Sequence, residues 1–136
     1  MSAPRILVAE DDRFLRRACA AALRRAGYET LLAEDGDEAI ALARAEGPDL
    51  ILLDLLMPRV SGIEVLRALR GEPATRGIPV LILSNSSKAL EMEQAYELEV
   101  AGYWIKANLS LKELVDGVGA LLSGESHGRA VPPAAR

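Results

Sequence analysis

Short apolar runs alternate along this chain with longer segments whose apolar residues recur every three or four positions. Ile6-Leu7-Val8-Ala9 runs into Glu10-Asp11-Asp12, Leu50-Ile51-Leu52-Leu53 into Asp54, and Val80-Leu81-Ile82-Leu83 into Ser84-Asn85-Ser86. Tyr103-Trp104-Ile105 follows Gly102 and ends at Lys106, and a weaker run, Thr30-Leu31-Leu32-Ala33, ends at Glu34-Asp35-Gly36. Runs without alternation mark strands buried on both faces, as in a parallel sheet. The segments between them read as helices. Residues 14–25 carry Leu15, Cys19 and Leu23 at a spacing of four and stop at Gly27, and residues 37–45 stop at Gly47-Pro48. Ser61 caps a helix holding Ile63, Leu66 and Leu69 that Gly71 ends, residues 89–98 form a fourth, and residues 110–122 open with the capping-box pattern Ser110-Leu111-Lys112-Glu113. Five strands alternating with five helices predict a doubly wound α/β domain, with right-handed crossovers placing helices on both sheet faces. Residues 1–123 make this one domain. Residues 124–136 hold Gly, Ser, Ala and a Pro-Pro pair without apolar period, and read as a flexible tail or linker stub.

Composition narrows the function classes. Aromatic residues are 4% of the chain, so the core is aliphatic and the composition argues against a long stacking platform for single-stranded nucleic acid. The net charge of −4 repels phosphate backbones, which argues against direct nucleic-acid binding. A single cysteine, Cys19, rules out an internal disulfide and makes a cysteine-based zinc site improbable. No stretch resembles a signal peptide or a membrane span, so the expected location is cytoplasmic, with no membrane contact.

The polar residues that matter sit at strand ends. In open α/β sheets, ligand sites form outside the carboxyl ends of the strands, where the strand order switches. Glu10, Asp11, Asp54, Ser84 and Lys106 all occupy such ends. Strand order is not readable from the pattern. If the first and third strands are neighbours, the three acids converge, and three carboxylates in one pocket repel unless a cation joins them. Hard oxygen ligands select Mg²⁺ or Mn²⁺. A carboxylate beside such an ion can attack a phosphoryl group, with Lys106 as a fixed positive charge and Ser84 as a hydroxyl donor. A nucleotide site would need a glycine-rich loop after the first strand, where this chain has Glu-Asp-Asp-Arg.

Four motifs together carry a family resemblance. Ile6 to Asp12, Pro48-Asp49 through Asp54 to Gly62, Pro79 to Ser84, and Gly102-Tyr103-Trp104-Ile105-Lys106 resemble, in order and spacing, the receiver domain of two-component response regulators. The likeness spans about residues 5–122. It implies a flavodoxin-like sheet of five parallel strands in the order 2-1-3-4-5 with five helices. It implies that Asp54 is the phosphoacceptor, supplied by a histidine kinase or a histidine phosphotransfer domain. Glu10, Asp11 and Asp54 would hold Mg²⁺ or Mn²⁺ with the backbone carbonyl of Leu56. Ser84 and Lys106 would contact the phosphoryl group. Ser84 and Tyr103 would form the switch, the ring moving inward as the hydroxyl is drawn to the phosphoryl group. Output would pass through the fourth helix, fifth strand and fifth helix, roughly residues 89–122, to a downstream protein target or an attached effector domain, or into a homodimer. No second domain fits in 136 residues. The resemblance implies a signalling domain rather than an enzyme, its own chemistry limited to uptake from small donors and slow self-dephosphorylation.

Departures from the family pattern sharpen this. The family usually has proline after the lysine, often cis. This chain reads Lys106-Ala107-Asn108, and a cis non-proline bond costs about 2.5–4 kcal/mol, so a trans bond is expected. Leu56 and Ser86 occupy the positions that govern dephosphorylation rate, and an apolar Leu56 cannot orient a hydrolytic water. Leu56 also argues against an aspartyl-phosphate hydrolase, which wants an acid there. A flavodoxin-like cofactor binder lacks its phosphate loop here, and the full set of acids, Ser84 and Lys106 argues against a receiver-shaped module that is never phosphorylated. Taken singly, Asp12 reads as a helix cap, Cys19 as a small buried hydrophobe, Trp104 as facing away from Tyr103, and His127 as a solvated bystander.

Overall fold

A computed structural model describes residues 3–86 and 88–124. The elements are β1 (Arg5–Ala9), α1 (Arg13–Arg25), β2 (Glu29–Ala33), α2 (Gly36–Glu46), β3 (Leu50–Asp54), α3 (Gly62–Gly71), β4 (Val80–Ser84), α4 (Ala89–Glu97), β5 (Gly102–Ile105) and α5 (Leu111–Ser123). Every predicted strand and helix is present, with ends differing by a residue or two. One turn of 3₁₀ helix, Lys106–Asn108, was not expected, and it carries the chain from β5 toward α5. No cis peptide bond occurs among the described residues, so the Lys106–Ala107 bond is trans as expected. The expected tail and its His127 lie outside the described residues apart from Gly124, whose left-handed backbone (φ 76°) caps α5.

All five strands are parallel, in the order β2-β1-β3-β4-β5. Period-two alternation then sorts each apolar run between two cores. Leu7, Ile51, Leu53, Ile82 and Tyr103 face α2, α3 and α4, where Ala39, Ala43, Val65, Leu66 and Ala95 meet them. Ile6, Val8, Leu52, Leu81 and Trp104 face α1 and α5, where Cys19, Leu23, Leu114 and Val118 meet them. This explains why β1, β3 and β4 read as continuous apolar runs, and why Tyr103 and Trp104 part company. The weak β2 signal has a physical cause as well, since β2 is an edge strand in which only Ala33 is buried.

Caps fix where the helices begin. Asp12 accepts from the backbone N–H groups of Phe14 (2.9 Å) and Leu15 (3.1 Å), so it is the N-cap of α1. Capping boxes pair Ser61 with Glu64 and Ser110 with Glu113. Such caps contribute about 1 kcal/mol each. Here they also set the direction in which the chain leaves the strand ends.

Candidate functional site

Register brings the acids together. Ala9 pairs with Leu53, so Glu10 and Asp54 follow side by side where β1 and β3 end. Ser84 closes β4, which lies between β3 and β5, and Lys106 follows β5. The sheet order therefore places Asp54, Ser84 and Lys106 in sequence along one edge. Glu10 and Asp54 are each 3% exposed and Ser84 is fully buried, whereas Asp11 is exposed. Carboxylate oxygens of Glu10, Asp11 and Asp54 all lie within 4.8 Å of one another. Three hard oxygen donors at that separation suit Mg²⁺ or Mn²⁺ and do not suit a soft metal.

Lys106 is the cation that the site itself provides. Its Nζ lies 2.5 Å from Glu10 Oε1 and 3.3 Å from Asp54 Oδ2. Burial alone would lower the ammonium's pKa, but hydrogen bonding and charge from Glu10 and Asp54 outweigh it and raise it. Lys106 thus stays protonated. Asp54 is less well compensated. Burial raises its carboxyl most, the Leu56 backbone N–H (3.0 Å from Oδ1) lowers it, Glu10 raises it and Lys106 lowers it, and the net value is about 7. A second cation beside this carboxylate would reverse the shift.

The backbone around Asp54 is held from below. The Gly62 N–H donates to the Leu55 carbonyl at 3.0 Å. A Cβ on Gly62 would fall 2.5 Å from Leu55 Cα and 2.6 Å from the Asp54 carbonyl, so only glycine lets α3 start this close to the acid. Leu56 turns the other way and is 60% exposed. Ser84 Oγ accepts from the Ser86 N–H at 3.0 Å, and the buried Tyr103 hydroxyl donates to the Ser86 carbonyl at 2.8 Å. The Tyr103 ring therefore already lies inward, tied to the loop that follows Ser84, whereas the resemblance implies a ring that turns inward only as Ser84 is drawn to a phosphoryl group. Burial raises its phenol pKa, and hydrogen bonds with Ser84 and Ser86 pull it back in part.

Arg16 belongs to this neighbourhood and escapes the motif reading. Its guanidinium donates to the carbonyls of Glu10 (2.8 Å) and Asp11 (3.3 Å) and meets Glu34 Oε1 at 3.2 Å. The available signal was its place three residues before Cys19 and seven before Leu23, on the buried face of α1. Cys19 itself lies behind the site. Burial pushes its thiol up to about 11, with Glu10 adding to the shift and Lys106 opposing it. Native protein at neutral pH should therefore resist iodoacetamide and label at Cys19 only on unfolding. Equal labelling rates in native and urea-denatured samples would show that the thiol is not protected.

A family model described as the response regulator receiver domain matches residues 6–118. The response regulator MprA of Mycobacterium tuberculosis is 36% identical over 118 residues, which cover 87% of this chain and 50% of that protein. The DNA-binding response regulator MtrA of Mycobacterium leprae is also 36% identical over 118 residues, covering 87% of this chain and 51% of that protein. The chain spans about half the length of these curated relatives. Among solved structures, the receiver domain of a signal transduction histidine kinase from Syntrophus aciditrophicus is similar. It has a TM-score of 0.81 and 30% identity, covering 97% of this chain and 99% of that one.

Proposed function

The chain belongs to the response regulator receiver family, and on that premise we propose that it is a phosphoaccepting switch with Asp54 as the acceptor. The donor is a phosphohistidine on a histidine kinase or a histidine phosphotransfer protein. An Asp54 carboxylate oxygen forms the new P–O bond as the donor's P–N bond breaks. The bonding pair stays on the imidazole nitrogen, and Asp54 becomes an acyl phosphate. The observation that carries this reading is one buried carboxylate with a lysine ammonium 3.3 Å away and two further carboxylates within 4.8 Å.

Each residue then has a task. Glu10, Asp11 and Asp54, with the Leu56 backbone carbonyl, are the residues that would hold Mg²⁺ or Mn²⁺. When bound, such an ion offsets charge on the carboxylates and the phosphoryl oxygens together. Lys106 keeps its proton and turns from the carboxylate toward the new phosphoryl oxygens. Ser84 Oγ accepts from the Ser86 N–H, and its own O–H turns to donate to one of those oxygens. Tyr103 reads that movement, because its hydroxyl is bonded to the same loop. Phosphorylation selects between two states of one fold rather than building a new one.

Output runs through α4, β5 and α5 to a downstream protein target or an attached effector domain, or into a homodimer on that face. Direct nucleic-acid contact is not assigned to these residues. Receiver domains are signalling domains, and we assign this one no turnover beyond uptake from small donors and slow self-dephosphorylation. No described helix is long and apolar enough to cross a membrane, and the proposed location is cytoplasmic.

The test is incubation with acetyl phosphate and Mg²⁺ followed by intact mass. A gain of one phosphoryl group on Asp54 supports the reading, and folded protein that gains none under any donor overturns it. Lifetime provides a second check. The exposed, apolar Leu56 side chain leaves nothing at that position to orient an attacking water, so Leu56→Asn should shorten the acyl phosphate's lifetime severalfold. An equal or longer lifetime in the variant would remove Leu56 from the control of dephosphorylation.

A further inference from the structure

We propose that Arg16 is a positioning residue for the cation site, holding the Glu10–Asp11 backbone so that both carboxylates converge on Asp54. The inference rests on the reading that these three acids take a divalent cation.

Arg16 is only 7% exposed, an uncommon place for a charge unless its donors are used. Its only described carboxylate partner is Glu34, whose side chain is 70% exposed, so the ion pair sits at the open edge of the contact. Its inner donors go to two consecutive carbonyls, those of Glu10 and Asp11. These are the two residues of the β1–α1 loop that supply carboxylates to the cluster.

The rest of the loop is fixed from other sides. The Glu10 N–H donates to the Ala33 carbonyl at 3.1 Å, and the Asp12 N–H donates to Glu10 Oε2 at 3.0 Å. Asp12 is itself committed to capping α1. Asp11 differs, because it is exposed and no described hydrogen bond reaches its carboxylate. Its carbonyl contact with Arg16 is therefore a principal restraint on where that carboxylate points. Both carbonyl bonds come from one guanidinium nitrogen, Nη1, while Nη2 takes Glu34, so the rigid planar group holds the loop on one side and the open edge on the other. The Arg16 stem shares the buried face of α1 with Cys19 and Leu23, which locks the guanidinium to the helix.

Charge and position predict opposite outcomes when Arg16 is removed. A positive group beside a cation site repels the cation, so loss of charge alone would tighten binding. Loss of a group that orients ligands weakens it, commonly by about 10–100-fold. The experiment is calorimetric titration of Mg²⁺ into the metal-depleted 136-residue chain without a phosphodonor, with thermal melting in EDTA alongside. Arg16→Met should raise the Mg²⁺ Kd by about tenfold or more. Arg16→Lys keeps the charge and the apolar stem but ends one bond short of Nη1, and its Kd should fall between the two. Glu34→Gln removes only the charge of the outer partner and should stay within about twofold of wild type.

A purely structural role would lower Tm in EDTA but leave the Kd of folded protein in place. Folded Arg16→Met with a Kd equal to or below wild type overturns the proposal. If that variant does not fold, Arg16→Lys decides, and a wild-type Kd in it overturns the proposal equally. Wild type that binds no Mg²⁺ sinks the cation reading itself, a failure that is distinct because it appears before any variant is compared.

Discussion

An Asp54→Asn variant should gain no phosphoryl group from acetyl phosphate and Mg²⁺, and without metal it should melt higher than wild type above pH 7. The first effect follows from chemistry. A carboxamide has no anionic oxygen to attack phosphorus, and the buried carboxylate beside it, Glu10, has its Oε1 held at 2.5 Å by the Lys106 ammonium. The second effect follows from linkage. In the unfolded chain Asp54 ionises near the ordinary value of about 3.9, whereas in the fold burial holds it at about 7. Between those values the folded state binds more protons than the unfolded state, so wild-type stability falls as pH rises through this window. The neutral amide does not take part in that loss. The Tm difference should therefore be small near pH 4, open between pH 4 and pH 7, and level off above. A shift from about 3.9 to about 7 bounds the gap at the plateau at about 4 kcal/mol. Mg²⁺ should close the gap by stabilising wild type selectively. A phosphoryl adduct that persists in Asp54→Asn, or a Tm gap that grows toward acid pH, would each remove Asp54 from its assigned place.

What the sequence makes legible here is what leaves a one-dimensional trace. β1, β3 and β4 are buried on both faces, and that condition writes itself as an unbroken apolar run ending in a polar residue. Glu10, Asp54, Ser84 and Lys106 were readable for the same reason, since each is the first polar residue after such a run, and Asp11 follows Glu10 directly. Asp12 was readable as a cap because Ncap chemistry is local. Arg16 was not, because its partners are backbone carbonyls, and a carbonyl is the same for every residue type. Strand order is likewise a three-dimensional choice, and it entered through resemblance rather than pattern. The 3₁₀ turn at Lys106–Asn108 replaces the family's proline with residues that carry no turn signature, so nothing in the letters announced it.

The two adjacent aromatics of β5 report on different halves of the molecule. Tyr103 packs with α3 and α4 and is bonded to the loop after Ser84, so its environment follows the phosphoryl site. Trp104 packs with α1 and α5. Its fluorescence should follow the seating of α5 on the sheet, which is the other half of the proposed output face. A signal in one without the other would separate local switching from movement of α5.

The seating of α5 depends on one missing side chain. Gly117 lies under the Trp104 indole, and a Cβ there would fall 1.8 Å from Cη2, 2.6 Å from Cζ2 and 2.8 Å from Cζ3. Trp104 is 2% exposed, and its indole N–H is buried without a hydrogen-bond partner among the described residues. Shape alone therefore locates the ring, and the shape includes the notch at Gly117. In Gly117→Ala either α5 lifts or the ring leaves its rotamer, and both costs exceed the roughly 1 kcal/mol that alanine returns as a better helix former. Overpacking of a tight core typically costs about 1–3 kcal/mol, and an overlap this deep belongs at the upper end. The expected net loss is about 2 kcal/mol, or roughly 8 °C in Tm for a domain of this size. Trp104 emission should shift to the red as the ring gains solvent. Gly119, two residues along the same helix, is the control, because its added Cβ would meet only the Tyr28 hydroxyl at 3.4 Å, an ordinary contact. Gly119→Ala should therefore raise stability by about 0.5–1 kcal/mol. Opposite signs from one substitution at two glycines of one helix cannot come from helix propensity. If both variants melt higher, the notch does not hold the indole, and α5 is seated by Leu114 and Val118 alone.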